Sequence, residues 1–281
     1  MWQNADYWAK LWDEERRNSL YAKQRRERAS SKWWDQRSAA FAEHTNERSS
    51  RMRQEKIMNI LLRNSFLNPD IEVLDIGSGP GNFALPMASR VKGVVALDPS
   101  PKMLAILEKR AAEQGFKNIE TVNLAWEEVE LDRLRWRKRF GLVFAAMTPG
   151  IHDAETLRKM VDASCHGCFY NGFSWREDLA QKELWRIFYH EEMPPIPADI
   201  FYVFHLLYAW GYTPALEFHK RHTKRTVSPE EAEQELTLLM EPYQEVMGWR
   251  EQIRNYVRQK SRNGVFNWRR NFIEGNLVWT V

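Results

Sequence analysis

At 281 residues, with 41 Lys and Arg against 38 Asp and Glu, the chain has a formal net charge of +3, too small to demand a nucleic acid or a membrane as partner. The length suits one large α/β domain with additions, or two small ones, and the first arrangement is expected. The cysteines, Cys165 and Cys168 in C-H-G-C, are too few for a closed structural zinc site and read as packing residues, so no metal is expected.

Thirteen tryptophans suggest aromatic-lined surfaces or pockets, with ordinary core packing expected for most of them. The scarcity of cysteine and a charged N-terminus (D-E-E-R-R) with no secretory leader predict a cytoplasmic protein. The longest apolar run, Ile200 to Tyr212, contains His205 and is shorter than the roughly 18 residues of a spanning helix, so no membrane association is expected.

Residues 1 to about 66 read as helical and basic, with Trp8, Leu11 and Trp12 on one stripe. The charged stretch Tyr21 to Lys32 reads as an exposed helix, with a nucleic-acid arm as the alternative. Trp34 and Phe41, seven apart in S-K-W-W-D-Q-R-S-A-A-F-A, share a helical face, and Met52 to Leu67 is predicted to be the helix feeding the first strand. Val73 to Ala88, V-L-D-I-G-S-G-P-G-N-F-A-L-P-M-A, then reads as a buried strand, a glycine turn and a helix N-terminus. Gly77, Gly79 and Gly81 let a ligand approach bare backbone, and the amides at a helix start favour anionic or polar oxygens. Asn82 stands where a dinucleotide fingerprint places its third glycine, and Asp75, inside the strand end, repels a pyrophosphate but suits a cationic amine.

The stretch D-x-G-x-G-x-G after a hydrophobic strand resembles the first motif of class I S-adenosylmethionine-dependent methyltransferases. That resemblance implies S-adenosyl-L-methionine as cofactor and S-adenosyl-L-homocysteine as product. It places Asp75 near the methionine amine and Gly77, Ser78, Gly79 and Gly81 under the amino-acid part. A second strand, Val94 to Leu97, ends in Asp98, where Rossmann-like folds place the acid that holds ribose hydroxyls. Pro99 follows, Ser100 reads as an N-cap with Pro101 at the first helical position, Met103 lies in the first turn, and Gly115 ends the helix. The short W-D helix is similar to one that folds over the cofactor mouth in small-molecule members of the family, which makes Trp34, Arg37 and Phe41 lid candidates.

Ile119 to Asn123 is predicted as a third strand. In the family an Asp often stands at the place of Leu124 and binds the adenine amino group; here the backbone of Ala125, with Trp126 or Glu127, is left to meet the ring. Residues 140 to 147 form a fourth strand whose end, Ala146, Met147 and Thr148, faces the donor methyl if the resemblance holds. The T-P that follows is not the N-P-P-Y tetrad of amino-methylating nucleic-acid enzymes, which counts against base methylation. His152 is the first candidate for a catalytic base, and Asp153 reads as the N-cap of the next helix.

Gly167 to Phe173 is a fifth strand, after which Trp175 to Tyr189 and Asp199 to Trp210 read as aromatic helices. They are expected either to roof the acceptor pocket or to form a second small core or dimer surface. Ala215 to Val227 reads as an edge strand, Pro229 to about Lys260 as a helix with a Ser228/Glu231 capping box, and the C-terminus as a strand interrupted by glycine.

The expected fold is therefore α/β: a Rossmann-like seven-stranded, mostly parallel sheet with flanking helices. Residues 1–68 form a helical extension and cofactor lid, 69–174 the cofactor-binding core, 175–212 a helical insertion and 213–281 the part completing the sheet. The expected function is methyl transfer to O, N or C of a small organic acceptor. The alternative is an RNA methyltransferase using basic terminal surfaces, and a third reading is a non-catalytic cofactor-binding regulator. A closed aromatic pocket under residues 175–212 argues for the small acceptor, and an open basic trough argues for RNA.

Overall fold

A computed structural model of the chain describes residues 4–19, 22, 30–44, 48–195, 198–243 and 246–281. Most of the charged stretch 21–32 lies outside them. Seven strands form one sheet in the order β3-β2-β1-β4-β5-β7-β6: β1 (Glu72–Ile76), β2 (Gly93–Leu97), β3 (Ile119–Val122), β4 (Phe140–Ala146), β5 (Ser164–Asp178), β6 (Ala215–Val227) and β7 (Phe266–Thr280). β1 to β5 pair in parallel, and β7 is antiparallel to both β5 and β6, as the resemblance implies.

The parallel strands are apolar on both faces because both faces are covered. One face carries Leu74, Ile76, Val95, Leu97, Val143 and Tyr170 against α7 (Ala154–Ala163), α9 (Asp199–Ala209) and Trp12 of α1 (Ala5–Asn18). The other carries Val73, Val94, Leu142, Phe144 and Phe169 against α4 (Arg48–Arg63), α5 (Ala84–Ala88) and α6 (Pro101–Glu113). The predicted caps form: Ser100 accepts from Met103 N at 3.2 Å, Asp153 accepts from Thr156 N at 2.8 Å, and Gly115 ends α6 with φ +77°.

The C-terminal half departs from expectation in three places. β5 runs on to Asp178, so Trp175 lies on a strand, and the helix begins only at α8 (Leu179–Tyr189). The helix predicted over 229–260 is two, α10 (Pro229–Met240) and α11 (Trp249–Lys260). Between them come Pro242, which cannot continue a helix, and Gly248 at φ +71°. Ser228 accepts from Glu231 N at 3.1 Å, but the Glu231 carboxylate pairs with Arg225, so only half of the capping box forms.

The stretch 175–212 divides between two cores. α9 joins the first face, while α8 packs with α10, α11 and the far ends of β6 and β7 around Leu184, Trp185, Leu236, Ile253 and Trp268. A second small core is thus present. Cys168 is buried in the first core, as packing requires, but Cys165 is exposed.

Candidate functional site

β1 delivers its carboxyl end to a turn that only glycine fills without strain. Gly77, Gly79 and Gly81 have φ of +72°, +53° and +86°. Gly77 N and Ser78 N both donate to Leu97 O, at 2.8 and 3.0 Å, which pins the turn against the end of β2. Around it lies a cleft of about 110 Å³ lined by Asp75, Gly77, Ser78, Gly79, Asp98, Pro99, Met103, Ala125, Trp126, Ala146 and Met147, with Trp34 and Phe41 at its mouth. Every residue expected from the resemblance to contact the cofactor therefore lines one cavity, except Gly81, which lines the larger cavity beside it.

Asp75 is 2% exposed, and its Oδ2 has no hydrogen-bond partner. Burial, followed by the charge of Asp98, pushes its carboxyl up to about 8. Ser78 Oγ is likewise buried and unpartnered. Buried polar atoms left without partners are costly, and here they face the space a ligand would fill. Asp98 accepts from Gly79 N at 2.8 Å and from Ser100 N at 2.9 Å; burial raises its pKa, and these two bonds oppose the rise. The residues present thus fit an amine-bearing nucleoside: an orphaned carboxylate for the cation, a bare turn beneath it, and a second carboxylate held rigid by backbone.

The W-D helix brings Trp34 to the lining of the cleft. α2 (Ser31–Asp35) is tied to the start of α6 by Asp35, which accepts from Ser100 Oγ at 2.5 Å. Trp34 meets Phe41 of α3 (Ser38–His44) edge to face at 5.7 Å. Arg37 instead stacks on Trp33 at 4.0 Å and lines neither cavity. At the adenine end, the Ala125 amide donates to the Glu128 carboxylate at 3.2 Å, and Trp126 Nε1 donates to Thr156 O at 3.0 Å. These two donors are occupied, and Leu124, Trp126 and Glu127 line the cleft beside them.

His152 does not line either cavity. Its Nδ1 lies 3.1 Å from Pro149 O and its Nε2 3.5 Å from Asp153 Oδ2, so the ring is turned into its own loop. His152 is thus a predicted site residue that the structure does not bring to these two cavities.

The larger cavity, about 1040 Å³, shares Met147, Thr148 and Pro149 with the cleft and continues over β5. Among the described residues of 175–212, Arg176 and Asp199 reach it; most of the two helices expected as its roof pack into the cores, and α4 contributes Arg53 and Gln54 to its lining. Gln54 donates to Asn82 O, which joins α4 to the glycine turn. Arg53 donates to Glu274 Oε2 at 3.0 Å and to Asn171 Oδ1 at 2.5 Å, and Arg221 lies 2.9 Å from Glu274 Oε1. Arg53, Asn171 and Glu274 were not singled out from sequence. The available signal was the pair of polar residues followed by glycine inside apolar strands, Y-N-G and I-E-G, which β5 and β7 bring to neighbouring rungs: Gly172 stands opposite Gly275, and Phe173 opposite Glu274.

Residues 73–166 match the family model described as a methyltransferase domain, which bears out the resemblance over that span. Among curated relatives, the probable ribosomal RNA small subunit methyltransferase A of Methanosphaera stadtmanae is 31% identical over 78 residues, 28% of this chain and 29% of that one. The chain thus spans about a third or less of the length of such relatives. Solved structures share the fold: a putative methyltransferase from Bacillus halodurans (18% identity, TM-score 0.50, covering 79% of this chain and 97% of that one). Magnesium protoporphyrin IX methyltransferase from Synechocystis, solved with bound S-adenosylhomocysteine, matches at 12% identity and TM-score 0.50, covering 82% of this chain and 81% of that one.

Proposed function

We propose that this chain transfers the methyl group of S-adenosyl-L-methionine to an oxygen, nitrogen or carbon atom of a small organic acceptor. The observation that carries the reading is the buried, unpartnered Asp75 carboxylate at the head of a left-handed glycine turn, inside a segment that matches a methyltransferase domain. Asp75 would take the methionine ammonium, Gly77 to Gly81 would lie beneath the amino-acid part, Asp98 would hold the ribose, and Leu124 and Trp126 would pack on the adenine. When bound, the cofactor supplies an already activated methyl on a sulfonium. The chain's own work is then to align the acceptor near Met147 and Thr148 and to exclude water, with Trp34 and Phe41 covering the mouth. No dedicated base is required for that task. The direct test is calorimetry with S-adenosylhomocysteine and, as a control, NADH. Heat from the first and none from the second is expected, and the reverse result removes the reading.

The RNA reading draws on the arginine-lined cavity and on relatives named as ribosomal RNA methyltransferases. Against it stand the absent N-P-P-Y tetrad at Thr148-Pro149 and arginines that are tied to acids in the interior instead of tracking the surface. Steep salt-dependent loss of affinity for single-stranded RNA would favour it.

A further inference from the structure

The inner wall of the large cavity holds more positive than negative charge. Arg53 takes one oxygen of Glu274 and Arg221 lies against the other, so two guanidiniums divide one carboxylate. Glu274 is 4% exposed, and the arginine side chains are 20% and 28% exposed, so water does little to settle the surplus. Burial draws the Arg53 pKa below its ordinary value, with Glu274 opposing and Arg221 adding to the fall. Arg221 Nε is buried without a hydrogen-bond partner. A surplus buried cation and an unused donor both raise the free energy of the protein until an anion enters.

The cluster adjoins the methyl-facing end of the sheet. Asn171 O accepts from Met147 N at 2.9 Å, while Asn171 Oδ1 accepts from Arg53, so one residue spans both features. Aromatic rings flank the cations: Phe83 lies 5.4 Å from the Arg53 guanidinium, Phe272 lies 5.0 Å from that of Arg221, and Phe173 stacks on Phe272 at 5.3 Å. An acceptor with a flat apolar body and one negative end suits this wall.

We infer that the methyl acceptor is a small molecule carrying an anionic group, a carboxylate or a phosphate, which docks on Arg53 and Arg221 while the atom to be methylated points toward Met147 and Thr148. This rests on the methyl-transfer reading above.

The test titrates the protein, saturated with S-adenosylhomocysteine, with benzoate, phenyl phosphate and neutral benzamide in a calorimeter. At least one of the two anions binds, with benzamide about tenfold weaker or worse, and the tighter anion tells carboxylate from phosphate. Arg221→Gln lowers anion affinity about tenfold and Arg221→Lys restores part of it. Glu274→Gln, which releases both guanidiniums, raises it. Affinity for S-adenosylhomocysteine stays constant in the two Arg221 variants, since Arg221 lines the larger cavity and not the cleft. Equal binding of all three probes, or anion binding indifferent to Arg221→Gln, overturns the inference. So does salt-sensitive binding of a single-stranded RNA oligomer with neither small anion bound. If S-adenosylhomocysteine itself fails to bind while Arg221-dependent anion binding persists, the methyl-transfer reading falls and the anion site stands; normal cofactor binding without anion discrimination removes the anion site alone.

Discussion

Gly77 and Gly79 occupy the same left-handed region for different reasons. A Cβ on Gly77 would lie 2.2 Å from Thr148 Oγ1 and 2.6 Å from Thr148 Cβ, so the turn is packed against the exit of β4. A Cβ on Gly79 would meet nothing within 4 Å, because the cleft lies there. Gly79→Ala is therefore expected to cost about 1 kcal/mol, the backbone strain alone, and to weaken cofactor binding. Gly77→Ala is expected to cost about 3 kcal/mol, because Thr148 must also move. Melting curves paired with S-adenosylhomocysteine titration separate the two: affinity falls with near-normal stability in the first, and both fall in the second. Asp75 makes a pH-dependent prediction. Its carboxyl is raised from 3.8 to about 8, so the folded protein holds a proton that the unfolded chain has released. The unfolded state then binds fewer protons across that window, and the stability of the ligand-free protein falls as pH rises from about 4 toward about 8. Asp75→Asn removes this penalty and raises the ligand-free melting point at pH 8 by about 4 °C, while weakening cofactor binding. In the unaltered protein a bound ammonium favours the ionised carboxyl, so affinity for S-adenosylhomocysteine rises with pH up to about 8 and proton release accompanies binding. Calorimetry in buffers of unequal ionisation heat counts that proton.

Among the elements, the junction of β5 with α8 rests on one side chain. Asp178 Oδ1 accepts from Ala180 N and Gln181 N at 3.1 and 3.2 Å, capping α8. Its Oδ2 accepts from Trp268 Nε1 at 2.7 Å and Arg270 Nε at 2.6 Å, binding β7 to the same point. Asp178→Ala strips a cap and two further bonds at once and is expected to cost about 3 kcal/mol in urea denaturation. Cofactor affinity should not change, since Asp178 lines neither cavity. This junction is also where the sequence was hardest to read. The parallel half was legible because its strands are short, its helices alternate with them, and Ser100, Gly115 and Asp153 mark the boundaries with side chains of one meaning. In S-W-R-E-D-L-A the spacing of Trp175 and Leu179 suits a helix face as well as a strand, and the deciding partner, Trp268, lies 90 residues from Asp178. The site divides in the same way. Asp75, the glycines and Asp98 announce themselves locally, whereas Arg53 and Glu274, 221 residues apart, acquire a meaning only once α4 crosses β7. For His152, proximity in sequence to β4 did not say where its ring turns, which is toward Pro149 O and Asp153.

At the scale of the whole molecule, the cleft belongs to the sandwiched half of the sheet, yet beyond the cores on its two faces the small one around Leu184 and Trp268 makes a third core at the far end of the long strands. The two regions are not joined by a linker. β5 and β7 stay paired, with one register shift between Phe173 and Trp175, from Gly167 opposite Thr280, inside the sandwich, to Asp178 opposite Arg270, beside the third core. Fraying that core exposes the ends of strands whose middle rungs carry Asn171 and Glu274, and removing the sandwich leaves the third core without the β5 and β7 segments it packs on. At the N-terminal side Trp12, fully buried in the first core, donates to Asp199 at 2.8 Å, so α1 and α9 also unfold with the sheet. One cooperative transition is therefore expected on heating. S-adenosylhomocysteine at about a hundred times its dissociation constant stabilises the folded state by ~2.7 kcal/mol and moves that transition upward by about 5–8 °C as a unit. Differential scanning calorimetry decides it: a second endotherm that stays in place while the first moves would mean that the third core folds independently of the site it supports.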